Sequence, residues 1–307
     1  MEELISLIEA APLFPGARVA LTAPASAVPD QWLQPALDFV RALDLEPVVY
    51  PSCYFANRHG YLAASDIQRA SELNEVFADS AIDGVWCIRG GYGAHRLLPL
   101  LDLDVVRAHP KRFFGYSDIT ALHTVFNQAC GLVTYHTVMP STESGVDGFT
   151  LDQLKRALFH SLAGPLDNPQ PMTTLVPGRA SGILCGGNLS LLAASLGTPW
   201  EIDTRGKLLF LEDIGEKTYR IDAMLTQLRN AGKFSDCAGV ILGAWTDCPP
   251  EYPEKTLELP EIFADLIVPA GRPAVMGLAC GHTLPTLSLP LGARAELDAD
   301  RLTLNVL

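Results

Sequence analysis

The stretch RFFGYSDIT, Arg112 to Thr120, carries the pattern on which the fold assignment rests. Two aromatics lead into Gly115, Tyr116 and Ser117, and Asp118 opens a run, ITALHTVFNQACG, with helical spacing. A buried strand, a tight turn and a helix in immediate succession are the building unit of an α/β domain. A hydroxyl at the tip of such a turn has two readings, a nucleophile held up for attack or a helix cap. Gly115-Tyr116-Ser117 matches the first half of the nucleophile elbow G-x-S-x-G, but Ile119 stands where the final glycine belongs. Taken alone, the tripeptide favours the cap.

Working outward, ARVALTAP, EPVVYP, IDGVWCIRGG and LVTYHTV read as further strands. QWLQPALDFVRALD and ASDIQRASELNEVFAD have helical spacing, the first despite Pro35. Near-continuous apolar strands separated by helices predict an N-terminal parallel sheet of the Rossmann or flavodoxin kind, covered on both faces. The crevice of such a sheet lies beyond the carboxyl ends of its strands. After a helical LDQLKRALFHSL, the run AGPLDNPQPMTTLVPGRASG is rich in proline, glycine and polar residues and is expected to be a linker. The expected organisation is therefore an α/β domain over 1–163, a linker over 164–180 and a second domain over 181–307. The second half supplies strands in GKLLFLEDI and CAGVILGAWT, helices in GGNLSLLAASLG and YRIDAMLTQLRNAG, and a closing hairpin around Asp298–Asp300.

Bulk properties narrow the function. The chain has 307 residues, enough for about two domains at roughly 150 residues each. A formal net charge of −13 argues against a nucleic-acid partner and means that an anionic ligand needs local positive groups. The seven cysteines are scattered and never spaced as CxxC, as expected of reduced, buried thiols without a zinc site. The opening MEELISLIEAAPLF is acidic where a signal peptide is basic, and no apolar run reaches membrane-spanning length. A cytoplasmic protein with no membrane association is expected.

Several residues compete as site candidates. RGGYG, Arg89 to Gly93, follows a strand and precedes a helix, but it is neither GxGxxG nor a P-loop, so a nucleotide reading is weak. Its backbone N–H groups suit an oxyanion or a carboxylate, and each glycine alone is also compatible with a plain tight turn. Arg89 can anchor a carboxylate bidentately or brace the glycine loop. GKLLFLEDI ends its strand on Glu212 and Asp213, and MGLACGHTLP ends one on Gly281 and His282. A serine nucleophile needs a base of this kind and a carboxylate to orient it. The six other histidines all precede the expected linker, and His123 lies on the helix that Ser117 opens, turned away from it. Cys280 reads as a core thiol, Asp118 as a charge at a helix N-terminus, and Arg220 as a solvated side chain or a partner of Glu212 or Asp213.

Taken together, APAS, RGGYG, FFGYSDIT, CGGNLS, LFLEDIGEKTYRID and GHT resemble, in order, the LD-carboxypeptidase family of serine peptidases, over nearly the whole chain. The resemblance implies that the second domain is smaller and β-rich, with the site between the two domains. It implies removal of the terminal D-alanine from murein tetrapeptides during peptidoglycan recycling. It implies Ser117 as nucleophile, His282 as general base and Glu212 as the orienting carboxylate. It also implies an oxyanion hole from the backbone N–H groups of Gly91 and Asp118, while Arg89 and Tyr92, on the same loop, are the expected substrate-binding residues. No metal or cofactor is expected, and a homodimer is. The nearest rival is the microcin C immunity branch, which acts on peptidyl or aminoacyl nucleotides and would require an aromatic platform such as Trp200 or Trp245. A two-lobed binding protein without catalysis is the rival from another class.

Overall fold

The computed structural model describes residues 6–141, 145–252 and 254–307. Residues 1–5, the acidic start of the N-terminal stretch discussed above, lie outside that set. The chain divides into two units. The first runs to Ser161 and also includes Ser288–Gly292, while the second comprises Leu162–Leu287 and Ala293–Leu307.

In chain order the strands of the first half are β1 (Arg18–Thr22), β2 (Glu46–Val49), β3 (Gly84–Cys87), β4 (Arg112–Gly115) and β5 (Thr134–His136). Those of the second half are β6 (Gly164–Pro165), β7 (Thr173–Val176), β8 (Arg179–Asn188), β9 (Leu208–Ile214), β10 (Gly239–Thr246), β11 (Ala274–Met276), β12 (Leu289–Leu291), β13 (Arg294–Asp298) and β14 (Thr303–Val306). The helices are α1 (Asp30–Arg41), α2 (Asp66–Ala78), α3 (Leu103–Ala108), α4 (Thr120–Cys130), α5 (Gly148–Phe159), α6 (Leu189–Ser195), α7 (Thr218–Asn230), α8 (Lys233–Asp236) and α9 (Leu259–Leu266).

The first unit is built on a six-stranded sheet in the order β12-β5-β4-β3-β1-β2. Strands β1 to β5 pair in parallel, and β12 closes one edge antiparallel to β5. This is the α/β architecture that the alternating strands and helices predict. Strands β3 and β4 are buried throughout, which explains their unbroken apolar character. Because β3 and β4 are neighbours, the loops that follow them, RGGYG and GYSD, leave the same edge of the sheet side by side.

The second unit contains an eight-stranded sheet in the order β6-β14-β13-β8-β9-β10-β11-β7. Its centre, β8 to β11, is parallel, and the flanking pairs are antiparallel. Strand alternation sends Leu209 and Leu211 into a core shared with Leu192, Ile221, Leu225 and Phe263. Leu208, Phe210 and Glu212 take the opposite face.

Two expectations from sequence are corrected here. The 164–180 segment is not a linker, because it contributes β6, β7 and the start of β8 to the second sheet. Its loop-like composition reflects edge strands that are short and only partly buried. Nor does everything after residue 180 belong to one unit, since β12 completes the first sheet.

Gly186 sets the spacing between β8 and β9. It adopts φ +119°, and a Cβ there would lie 1.9 Å from the Phe210 carbonyl oxygen. Gly186→Ala is therefore expected to cost about 3 kcal/mol or more, read as a large drop in denaturation midpoint. A variant with wild-type stability would show that the two strands do not need this approach.

Candidate active site

In the first unit Ser117 opens a 3-10 turn, Ser117–Ile119, between β4 and α4. Its φ is +64°, a left-handed backbone that a residue bearing Cβ adopts only when its surroundings impose it. Ser117 supplies no side-chain cap to α4, whose cap position falls on Ile119. The capping role that the isolated tripeptide favours is thus not the one its hydroxyl fills.

The Gly90–Gly93 loop lies directly against this turn. A Cβ on Gly90 would sit 3.0 Å from Ser117 Cβ, 3.1 Å from its Oγ and 3.4 Å from the backbone N of Asp118. Gly91 has φ +111°, and a Cβ on it would run into the Ser26 side chain at 2.4 Å from Oγ. That serine, from the APAS motif, accepts from the Tyr92 N–H at 3.0 Å, and its own N–H donates to Gly90 O at 3.3 Å. Arg69, buried on α2, donates to Gly93 O at 3.1 Å, to Ala64 O at 3.1 Å and to Pro24 O. Asp66 pairs with that arginine at 2.6 Å and with Arg96 at 2.8 Å. None of Ser26, Asp66 or Arg69 stands out in the sequence as a site residue.

Arg89 donates to Ala27 O at 2.6 Å, and its guanidinium lies 5.0 Å from the centre of the Trp32 ring. Tyr92 is half exposed and meets Tyr61 edge-on at 5.7 Å. Asp118 is buried and accepts from the Ala94 N–H at 2.7 Å, so its carboxyl links the turn to the loop. His123 does turn away into the core, between Thr134 Oγ1 at 2.8 Å and Gly115 O at 3.0 Å, and burial pushes its pKa down to about 4.

In the second unit Glu212 Oε2 meets His282 Nδ1 at 2.7 Å, with none of the Glu212 side chain exposed and 12% of the histidine's. The same oxygen lies 3.3 Å from the His282 N–H. Gly281 makes room for this contact, because a Cβ there would fall 2.5 Å from Glu212 Oε2. Thr246 donates to the His282 carbonyl. Asn188, opposite Glu212 in the β8–β9 register, donates to Glu212 Oε1 at 3.3 Å and to Asp213 Oδ1 at 2.9 Å. Asp213 faces the other way and accepts from Ser190 N and Oγ at the start of α6. Burial raises its pKa.

A carboxylate accepting from Nδ1–H leaves Nε2 of the imidazole as the basic nitrogen, the arrangement a general base requires. Arg220 pairs with Glu216 at 2.6 Å on the exposed face of α7 rather than with either acid. Trp245 packs on Phe263 beside the second core. All seven cysteines, Cys280 included, are buried free thiols. Among the described residues no helix is long and apolar enough to cross a membrane.

The chain belongs to the LD-carboxypeptidase family: its N-terminal domain model matches residues 19–137 and its C-terminal domain model residues 181–297. A probable murein peptide carboxypeptidase of Bacillus subtilis (strain 168) is 44% identical over 286 residues, covering 92% of this chain and 89% of the relative. The crystal structure of a muramoyltetrapeptide carboxypeptidase from Oxalobacter formigenes superposes with a TM-score of 0.80 at 29% identity, covering 94% of this chain and 98% of that one. The microcin C7 self-immunity protein MccF, solved with aspartyl sulfamoyl adenosine, shares the fold with a TM-score of 0.87 at 23% identity, each chain covered to 97%.

The buried Asp118 gives a stability signature. Burial lifts its pKa from 3.8 to about 6, against the opposing pull of the Ala94 N–H and Arg69. The native state then holds this proton more tightly than the unfolded chain does. Its contribution is greatest below the unfolded value and is lost as pH rises through about 6. Relative to Asp118→Asn, the wild type should lose about 2 kcal/mol of unfolding free energy between about pH 4 and pH 7. Parallel stability curves in urea denaturation would refute this.

Proposed function

We propose that this protein is a serine LD-carboxypeptidase that hydrolyses the L–D amide of murein tetrapeptides and releases the terminal D-alanine. The observation that carries the reading is the Glu212–His282 contact at 2.7 Å behind a partly exposed imidazole. It is supported by Ser117 at φ +64° beside a glycine loop, in a chain belonging to the LD-carboxypeptidase family.

His282 takes the proton of Ser117 as the hydroxyl attacks the scissile carbonyl, and Glu212 holds the imidazole tautomer and stabilises the imidazolium. The N–H groups of Gly91 and Asp118 stabilise the tetrahedral oxyanion, an effect worth about 3–4 kcal/mol for each donor. His282 then protonates the departing D-alanine amine, and water resolves the acyl-enzyme. Arg89 and Tyr92, on the loop beside the nucleophile, contact the substrate. The setting is cytoplasmic peptidoglycan recycling by a homodimer, and no cofactor takes part in the chemistry.

Ser117→Ala, Glu212→Ala and His282→Ala should each fold, by circular dichroism, and lose nearly all turnover. Combining them should add little further loss, because the three act as a unit. Full activity in Ser117→Ala would sink the mechanism.

A substrate pair sets the specificity. Mass spectrometry should detect D-alanine release from the tetrapeptide and little reaction with the pentapeptide, because recognition of the terminal carboxylate fixes which bond reaches Ser117. Faster hydrolysis of an aminoacyl adenylate would move the assignment to the microcin-immunity reaction.

A further inference from the structure

Two loops meet at the nucleophile, and their separation decides whether backbone donors face the reacting carbonyl. They leave adjacent parallel strands, β3 and β4, which brings them near each other but does not set their distance. Gly90 permits an approach that a side chain would prevent, since a Cβ there would press on Ser117 Cβ at 3.0 Å. On the far side the glycine loop is fixed by Ser26 and Arg69, neither of which comes from the nucleophile turn. The hydrogen bond between Asp118 Oδ2 and Ala94 N, at 2.7 Å, joins the turn itself to the end of the loop. Asp118 is 1% exposed, and the charged and titratable groups that act on it are Arg69 and Cys87.

A charge serving only its own helix would stay at the first turn of α4. This carboxyl instead reaches back across 24 residues to the first residue of the 3-10 helix Ala94–Leu100. We infer that the Asp118 side chain is a positioning residue: through Ala94 it sets the gap between the Ser117 turn and the Gly90–Gly93 backbone, and so aligns the donors that receive the oxyanion. The inference rests on the serine-peptidase reading proposed above and adds a role for the side chain of a residue whose backbone N–H is one of those donors.

Kinetics on the murein tetrapeptide test it, with kcat expressed per folded protein by near-ultraviolet circular dichroism. Asp118→Ala removes the acceptor and should lower kcat by about 100-fold, the scale of an ångström-level misplacement, with KM within about twofold. Asp118→Asn keeps an oxygen that can accept from Ala94 and should recover kcat to within about fivefold of wild type. Asp118→Leu, near-isosteric with Asn but without an acceptor, should behave like the alanine variant, and it replaces that variant if the alanine protein folds poorly.

Wild-type kcat in Asp118→Leu or Asp118→Ala would overturn the inference. So would equal impairment of Asp118→Asn and Asp118→Leu, which would assign the effect to the charge and not to the bond. Ser117→Ala separates the two levels. If it is inactive while the Asp118 variants keep full turnover, only the positioning role fails; if it retains turnover, the serine mechanism fails first.

Discussion

A carboxyl group taken out of water costs several kcal/mol unless donors replace its lost hydration, and much of the second unit is arranged to meet that requirement at Glu212. Its Oε2 is engaged by the imidazole and the backbone of His282, and its Oε1 by Asn188. Asn188 spends the same amide on Asp213, whose other oxygen takes the N–H and hydroxyl of Ser190 at the start of α6. One asparagine therefore spans two adjacent acids that point to opposite faces of β9. The network depends on strand register, because Asn188 reaches Glu212 only while Gly186 lies close under Phe210. A His282 held in this way has few alternative orientations, which is what a base needs if it is not to reorganise at each turnover.

The first unit meets a different constraint, one of backbone rather than charge. Ser117 sits in a left-handed conformation that costs on the order of 1–3 kcal/mol and persists only where the surroundings over-determine it. The fully buried β4 leads into it and the buried first turn of α4 leads out. Beside it the glycine loop is held through carbonyl and amide groups by Ser26 and Arg69, with Asp66 orienting the arginine. The polar side chains around the turn thus act mainly on the backbone.

Much of this organisation is visible in the order of residues. Apolar runs four or five residues long separated by helical spacing announce the parallel sheet, since strands buried on both faces carry no polar alternation. Glu212 is legible as a polar residue near the close of a strongly apolar strand, and Ser117 as a hydroxyl at a strand-to-helix turn. His282, expected at a strand end, instead lies in the loop six residues beyond the last residue of β11, Met276. Asn188 lies inside the quoted CGGNLS and has a local role as the cap of α6, accepting from the Leu191 N–H. Its hold on the two acids comes from facing a different strand and has no local mark. Arg69 reads as one more polar position on an amphipathic helix, and only its burial against the carbonyls of Pro24, Ala64 and Gly93 shows otherwise. The 164–180 segment misleads for a related reason, as edge strands share the proline, glycine and polar content of loops.

The sequence by itself determined the parallel sheet of the first unit, the turn chemistry at Gly90–Gly93 and Ser117, and the ordered motifs that resemble one family. These are properties of neighbours along the chain, set by side-chain periodicity and by which residues tolerate a left-handed backbone. The tertiary structure decided which residues answer one another across strands: Asn188 to two acids, Asp118 to Ala94, and residues 289–291 to the edge of the first sheet. A hydrogen bond between residues 24 positions apart leaves no periodic trace, because its geometry depends on the register and close approach of whole strands and loops.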